Sequence, residues 1–389
     1  MNIFKIAGAL ACASVFLASG ARAEEPVRIG IVAPMSGAFA SYGKQVENGI
    51  NAFMKDQGDT VAGRKVSVIY RDTGGASPEA AKRISQELIS RDKVDALGGY
   101  IFTQDGLASA PVATAGKKPM FVMLSATSSV STKSPYVIRT SYTLAQVALP
   151  MGQWAAKNGI KKAFVLVADY GPGHDASTWF QKGFKDNGGT VVDEVQVPIS
   201  NRDFGPYVQK IKDAKPDAVF VFLPAGEPVI SFMKEYANRG LAKAGIKVLA
   251  TEGWADDETL AAIGESSLGV INTGFYTTGH ESALNSKFLA AYKAVSDGKL
   301  PPNFIAVAAY DAMQVIYTSM KQQNGKLDAE KLIAAAKGMQ FESPRGPFLI
   351  DKDTRDTVED IYVRRVESVN GKIVNKEFDK FPMVKDPGK

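Results

Sequence analysis

The chain has 389 residues, with 46 Lys and Arg against 41 Asp and Glu, 2 His and 1 Cys. A hydrophobic fraction of 45% beside a charged fraction of 22% excludes a disordered, collagenous or disulfide-dense chain. At about 150 residues per domain, the length sets a prior of about two or three domains.

Lys5 gives a positive start, residues 6–18 are apolar, and Ala21-Arg22-Ala23 is a small-x-small cleavage site. These parts predict a secretory signal over residues 1–23, cleaved after Ala23, and hence an exported, periplasmic product. The apolar run is shorter than the roughly twenty residues a membrane span needs. Ala9-Leu10-Ala11-Cys12 is a poor lipoprotein box. Cleavage leaves 366 of the 389 residues and removes Lys5 and Arg22, so the net charge falls from +5 to +3. That charge is too weak for nucleic-acid binding, and no Lys/Arg cluster stands out. Cys12 also leaves, which removes disulfides, thiolate nucleophiles and thiolate metal ligands together.

The elements then follow a rhythm. Residues 27–33 are apolar and β-branched, 41–54 have helical spacing, and 65–70 alternate as a strand. Residues 78–91 read as a helix capped by Ser77, with Pro78 at its first position. Residues 94–98, 105–115 and 119–124 continue the alternation. It restarts with a helix over 144–157 and a strand over 162–167. Helix, strand and helix follow over 177–186, 190–195 and 204–213, then strand, helix and strand over 217–223, 227–238 and 246–250. Such alternation predicts parallel sheets built from βαβ units, in two blocks. After residues 268–275, three helical stretches over 283–295, 304–321 and 329–337 return to complete the first block. The tail is strand-like, with Asn370-Gly371 as a turn signal.

Ligands of open α/β sheets bind beyond the carboxyl ends of the strands. In the first block those ends carry Tyr100, Phe102 and Thr103, then Ser125, Ala126 and Thr127. In the second they carry Tyr170, then Pro224-Ala225-Gly226, then Glu252 and Trp254. Ser125-Ala126-Thr127 offers hydroxyl and backbone donors for an anion such as a carboxylate, or is an ordinary Ser/Thr turn. Glu252 is placed to meet a ligand ammonium, or is a solvated loop acid. Tyr42, Tyr100, Phe102, Tyr170 and Trp254 are candidate walls for an apolar group, or packing residues. His174 and His280 lack metal-ligand spacing, and no nucleophile elbow, dinucleotide fingerprint or P-loop is present. No enzymatic role, metal or cofactor is expected.

The ordered set of tips resembles the solute-binding proteins of branched-chain amino acid ABC importers, the leucine-binding-protein-like family. The resemblance rests on Ile29-Gly30-Ile31-Val32-Ala33-Pro34-Met35-Ser36-Gly37, Tyr42-Gly43, Gly49, Ile138-Arg139-Thr140, Asp169-Tyr170-Gly171 and Gly346-Pro347. It implies a type I periplasmic binding protein fold: α/β, with two Rossmann-like doubly wound lobes joined by three crossovers. Lobe I would take residues 24–140 and 275–343, and lobe II 141–274 and 344–389. It implies Ser125, Ala126 and Thr127 for the ligand carboxylate, Glu252 for an α-ammonium, Tyr170 as a lid and Tyr42 as a cleft tyrosine. Tyr100 and Phe102 are bulkier than amino-acid binders usually carry, Pro224-Ala225 lacks a frequent tyrosine, and Trp254 is large for its place. The expectation is a monomeric capture protein for a hydrophobic or branched-chain amino acid that delivers its solute to a membrane ABC permease. The alternatives are an aromatic or other amine-free organic acid as ligand, a sensory co-receptor, or an exported enzyme on the same scaffold.

Overall fold

Val27–Ala33, the first strand (β1), is apolar but for Arg28 and almost wholly buried, as a strand covered on both faces must be. The computed structural model describes residues 25–389, and the leader expected over residues 1–23 lies outside the described residues. After β1 come α1 (Ala40–Gln57), β2 (Thr60–Val61), β3 (Arg64–Asp72), α2 (Pro78–Ser90) and β4 (Ala96–Gly99). The block closes with α3 (Thr103–Gly116), β5 (Met120–Val122) and β6 (Val137–Arg139). Its six strands run in the order β2-β3-β1-β4-β5-β6, parallel except for the short β2–β3 pair.

The chain crosses at residues 140–143 into α4 (Leu144–Lys157). Thr143 caps this helix reciprocally with Gln146, which fixes where it starts. Then follow β7 (Lys162–Ala168), α5 (Gly171–Lys185), β8 (Thr190–Val197), α6 (Gly205–Ala214) and β9 (Ala218–Phe222). The run continues with α7 (Glu227–Asn238), β10 (Lys247–Thr251), α8 (Asp257–Ile263) and β11 (Ile271–Gly274).

A second crossing leads to α9 (Ala283–Val295), α10 (Phe304–Gln322) and α11 (Ala329–Ala336). As expected, these return to the first lobe, where α9 and α10 pack on α1. The contact is close: a Cβ on Gly49 of α1 would overlap the Ala306 backbone of α10. A third crossing reaches β12 (Gln340–Ser343), β13 (Gly346–Ile350), β14 (Thr357–Val369) and β15 (Lys372–Val384). All four join the second sheet, antiparallel to one another, and β14 pairs with β11. The strand β12 therefore belongs with the second sheet, so the lobe boundary expected at residue 343 falls earlier, before residue 340. The β14–β15 hairpin turns at Asn370 and Gly371, both at positive φ (52° and 76°), as its sequence predicts. No described helix is long and apolar enough to cross a membrane.

One buried cation, in the turn between β12 and β13, ties the lobes together. Arg345 is 2% exposed and donates to the Thr140 carbonyl at 2.6 Å. It pairs with Asp311 at 2.9 Å and Glu359 at 3.0 Å, and lies 4.4 Å from the Phe275 ring centroid. Residues from the first two crossings, α10 and β14 are thus tied to one side chain where the lobes join.

Candidate ligand-binding site

The carboxyl ends of the two sheets face each other across a cavity of about 150 Å³. The first lobe contributes Phe39, Tyr42, Phe102, Thr103 and Ala126; the second contributes Tyr170, Phe222, Ala225 and Glu252. Tyr142 and Phe304, beside the crossings, complete the wall. The rings support one another: Phe39 meets Phe102 edge-on at 5.0 Å, and Tyr170 stacks on Phe222 at 6.3 Å. Tyr142 meets Phe304 edge-on at 6.2 Å. A cavity of this size and lining admits one six-membered aromatic ring. Tyr42 of the first lobe and Ala225 of the second border the same cavity.

Among the described residues, one part of the wall presents backbone donors without acceptors. Helix α3 begins at Thr103, so its first N–H groups have no acceptor within the helix. Those of Asp105 and Gly106 turn back to the Phe102 carbonyl at 3.1 Å, which leaves those of Thr103 and Gln104. Behind the neighbouring loop lies Arg139, fully buried and paired with Asp356 at 2.9 Å. Its guanidinium donates to the carbonyls of Ser125 and, at 2.8 Å, Thr127. A trans peptide sets N–H opposite C=O, so drawing the Ser125 carbonyl back turns the Ala126 N–H towards the cavity. Among the described residues, the Ala126 and Thr127 N–H groups have no protein acceptor. Backbone donors at a helix start are a general anion site.

On the second lobe, Glu252 borders the same cavity but is already partnered. Its carboxylate faces Arg364 at 3.2 Å and accepts from the N–H groups of Phe275 at 2.6 Å and Tyr276 at 3.3 Å. Arg364 is 1% exposed and is held in turn by Asn272 at 2.8 Å. Burial raises the Glu252 pKa, while Arg364 and the two amides oppose it. Three phenols gather nearby. Burial raises the pKa of Tyr42, Tyr142 and Tyr170 alike, so all three remain neutral donors. None of their hydroxyls has a side-chain hydrogen-bond partner among the described residues.

The sequence-predicted residues divide accordingly. Tyr42, Phe102, Thr103, Ala126, Tyr170, Ala225 and Glu252 come together on the cavity. Tyr100 does not: it adopts φ 58° after Gly99, and its ring turns into the core of the first lobe, where its hydroxyl meets Ser85 at 2.9 Å. Trp254 likewise packs into the core of the second lobe, 2% exposed. Ser125 lies beneath the wall, and its hydroxyl is spent on the carbonyls of Tyr100 at 2.6 Å and Phe102 at 2.8 Å. Thr127 stands beside the wall, its hydroxyl taking a 3.4 Å bond from Thr103. Phe39, Tyr142, Phe222 and Phe304 were not expected. Phe222 ends a strand and was readable as a tip. The other three lie in a turn, a crossing and a helix start, which an inspection of strand ends passes over.

With this geometry in place, comparison with known proteins is informative. A family model described as periplasmic binding protein matches residues 26–372. The chain belongs to the periplasmic binding protein family. It is 41% identical over 382 residues to Leu/Ile/Val-binding protein homolog 6 of Brucella melitensis biotype 1, covering 98% of each chain. It is 48% identical to an ABC-transporter solute-binding protein of Rhodopseudomonas palustris BisB5 solved with 3,4-dihydroxybenzoic acid. There the TM-score is 0.89, over 94% of this chain and 99% of that one. A counterpart from Rhodopseudomonas palustris HaA2 in complex with p-hydroxybenzoic acid gives 41% identity and a TM-score of 0.90, with coverage of 94% and 99%.

The binding protein thus has the type I periplasmic binding protein fold and is a leucine-binding-protein-like solute-binding component of ABC transporters. Proteins of this family bind small-molecule ligands, work with a membrane permease and are periplasmic.

Proposed function

We propose that this protein captures an aromatic carboxylate in the interlobe cavity and delivers it, chemically unchanged, to its permease. It is exported by a leader cleaved after Ala23 and acts as a monomer. The carboxylate rests on the N–H groups of Thr103, Gln104 and Ala126, with the Thr103 hydroxyl assisting and Thr127 beside it. The ring lies among Phe39, Phe102, Tyr142, Tyr170, Phe222 and Phe304, with Tyr42 and Ala225 closing the cleft over it.

The observation that carries this reading is the Glu252–Arg364 pair. The Glu252 carboxylate that an amino acid's ammonium would need is already paired with Arg364, so an ammonium there would stand beside a buried guanidinium without a counter-charge of its own. An amine-free acid places no second cation beside Arg364, and its carboxylate meets backbone donors on the first lobe. The Rhodopseudomonas relatives solved with hydroxylated benzoic acids support the same ligand class. A hydrophobic amino acid is the second reading, favoured by the names of the Brucella relatives and by the place of Glu252 on the wall.

Affinity in the micromolar range needs about −8 kcal/mol. Hydrogen bonds to a charged group supply roughly 1.5–3 kcal/mol each, and burial of an aromatic ring roughly 1.5–3 kcal/mol. Three such bonds and one ring reach that value before ordering costs. Isothermal titration should give micromolar or tighter binding for benzoate-class acids and none for leucine. Leucine binding with no response to benzoates would replace the first reading with the second.

A further inference from the structure

We infer that the Glu252–Arg364 pair is a reader of a ring hydroxyl: the cavity selects benzoic acids that carry a hydroxyl away from the carboxylate over unsubstituted or methylated ones. The inference rests on the proposed aromatic ligand and adds a specificity-determining residue to it.

Glu252 borders a cavity whose wall is otherwise mostly aromatic and aliphatic. Its carboxylate is oriented by Arg364 and by the backbone of Phe275 and Tyr276, so it is a fixed acceptor rather than a mobile one. An ionised carboxyl accepts and never donates. What it can take from a ligand is therefore a proton donor. Arg364 has already balanced its charge, which makes a neutral donor the fitting partner. A phenolic hydroxyl is neutral, and a bond between it and a carboxylate is charge-assisted. A ligand carboxylate has no proton to give that acceptor, so Glu252 also fixes which end of the ligand faces the second lobe. That leaves the carboxylate to the backbone donors of Thr103, Gln104 and Ala126 on the first lobe.

The test is calorimetric titration of the whole binding protein with benzoate, 4-methylbenzoate and 4-hydroxybenzoate. Methyl and hydroxyl are near-isosteric, so the comparison isolates the donor. The wild-type protein is expected to bind 4-hydroxybenzoate about tenfold or more tightly than 4-methylbenzoate. In Glu252→Met the preference should fall to about threefold or less. Should that variant fail to fold, Glu252→Met combined with Arg364→Met removes both charges together, and buried pairs tolerate such replacement better than the loss of one partner. Equal affinity of the wild type for the hydroxy and methyl acids would overturn the inference, as would an undiminished preference in the folded variant. If none of the three acids binds, the aromatic reading itself fails.

Discussion

Replacing Arg139 with methionine is expected to cost about 3–5 kcal/mol of stability and to weaken aromatic-acid binding by about 10- to 100-fold. The side chain is fully buried, and it holds Asp356 together with the carbonyls of Ser125, Thr127 and Tyr142. Burial alone would raise the Asp356 pKa; Arg139 and Lys389 override it and hold the carboxyl below its ordinary value. Methionine leaves three carbonyls without their donor and Asp356 with only one cationic partner, Lys389 at 2.8 Å. Ligand affinity falls for a second reason. Once the Ser125 carbonyl is released, its peptide can rotate and the Ala126 N–H no longer points into the cavity. One charge-assisted bond at roughly 1.5–3 kcal/mol accounts for that range. Urea unfolding and calorimetry on the same variant separate the two effects. A stable variant that binds as the wild type does would show that the loop holds its shape without Arg139.

Arg345→Met is the second large effect, again about 3–5 kcal/mol, read by urea unfolding. It removes the cation that pairs with Asp311 and Glu359, both 1% exposed or less, where α10 and β14 meet the first two crossings. This cluster also sets a pH dependence. Burial, partly offset by Arg345, pushes the Glu359 pKa up to about 8 and that of Asp311 up to about 6. The folded state therefore keeps a proton on Glu359 that the unfolded chain releases near its ordinary value of about 4.3. The contribution from Glu359 is complete below that value and is lost as pH rises through about 8. In Glu359→Gln, which resembles the protonated form, the melting temperature should match the wild type near pH 5 and exceed it increasingly towards pH 8. Parallel curves for the two proteins would show that Glu359 is not the responsible group.

Much of this architecture can be read from the chain because each lobe repeats one physical grammar. Buried parallel strands must be apolar on both faces, as in residues 27–33 and 162–167, and amphipathic helices must separate them. The return of α9 and α10 to the first lobe was also legible, because three successive helices without strands have no second sheet to cover. The site was only partly legible. Strand ends located the cleft, but not which way a side chain turns there: Tyr100 follows a glycine into a left-handed conformation and points to the core. Ser125 carries the expected hydroxyl and spends it on two local carbonyls. Glu252 finds its cation 112 residues further along, on an antiparallel strand that no local pattern connects with it. Arg139 lay within a motif of the resemblance, yet its position beneath the anion loop depends on packing between distant segments. Long-range pairing of buried charges is the part of the account that required coordinates.

A crystal structure of the complex with 4-hydroxybenzoate would show whether the acid group sits on the first lobe's backbone donors while the ring fills the aromatic cavity. Carboxylate oxygens are expected within hydrogen-bond distance of the Thr103, Gln104 and Ala126 N–H groups, with the Glu252–Arg364 pair unbroken. A carboxylate placed against Arg364 with that pair opened, or a ligand bound outside the interlobe cavity, would rule this binding mode out.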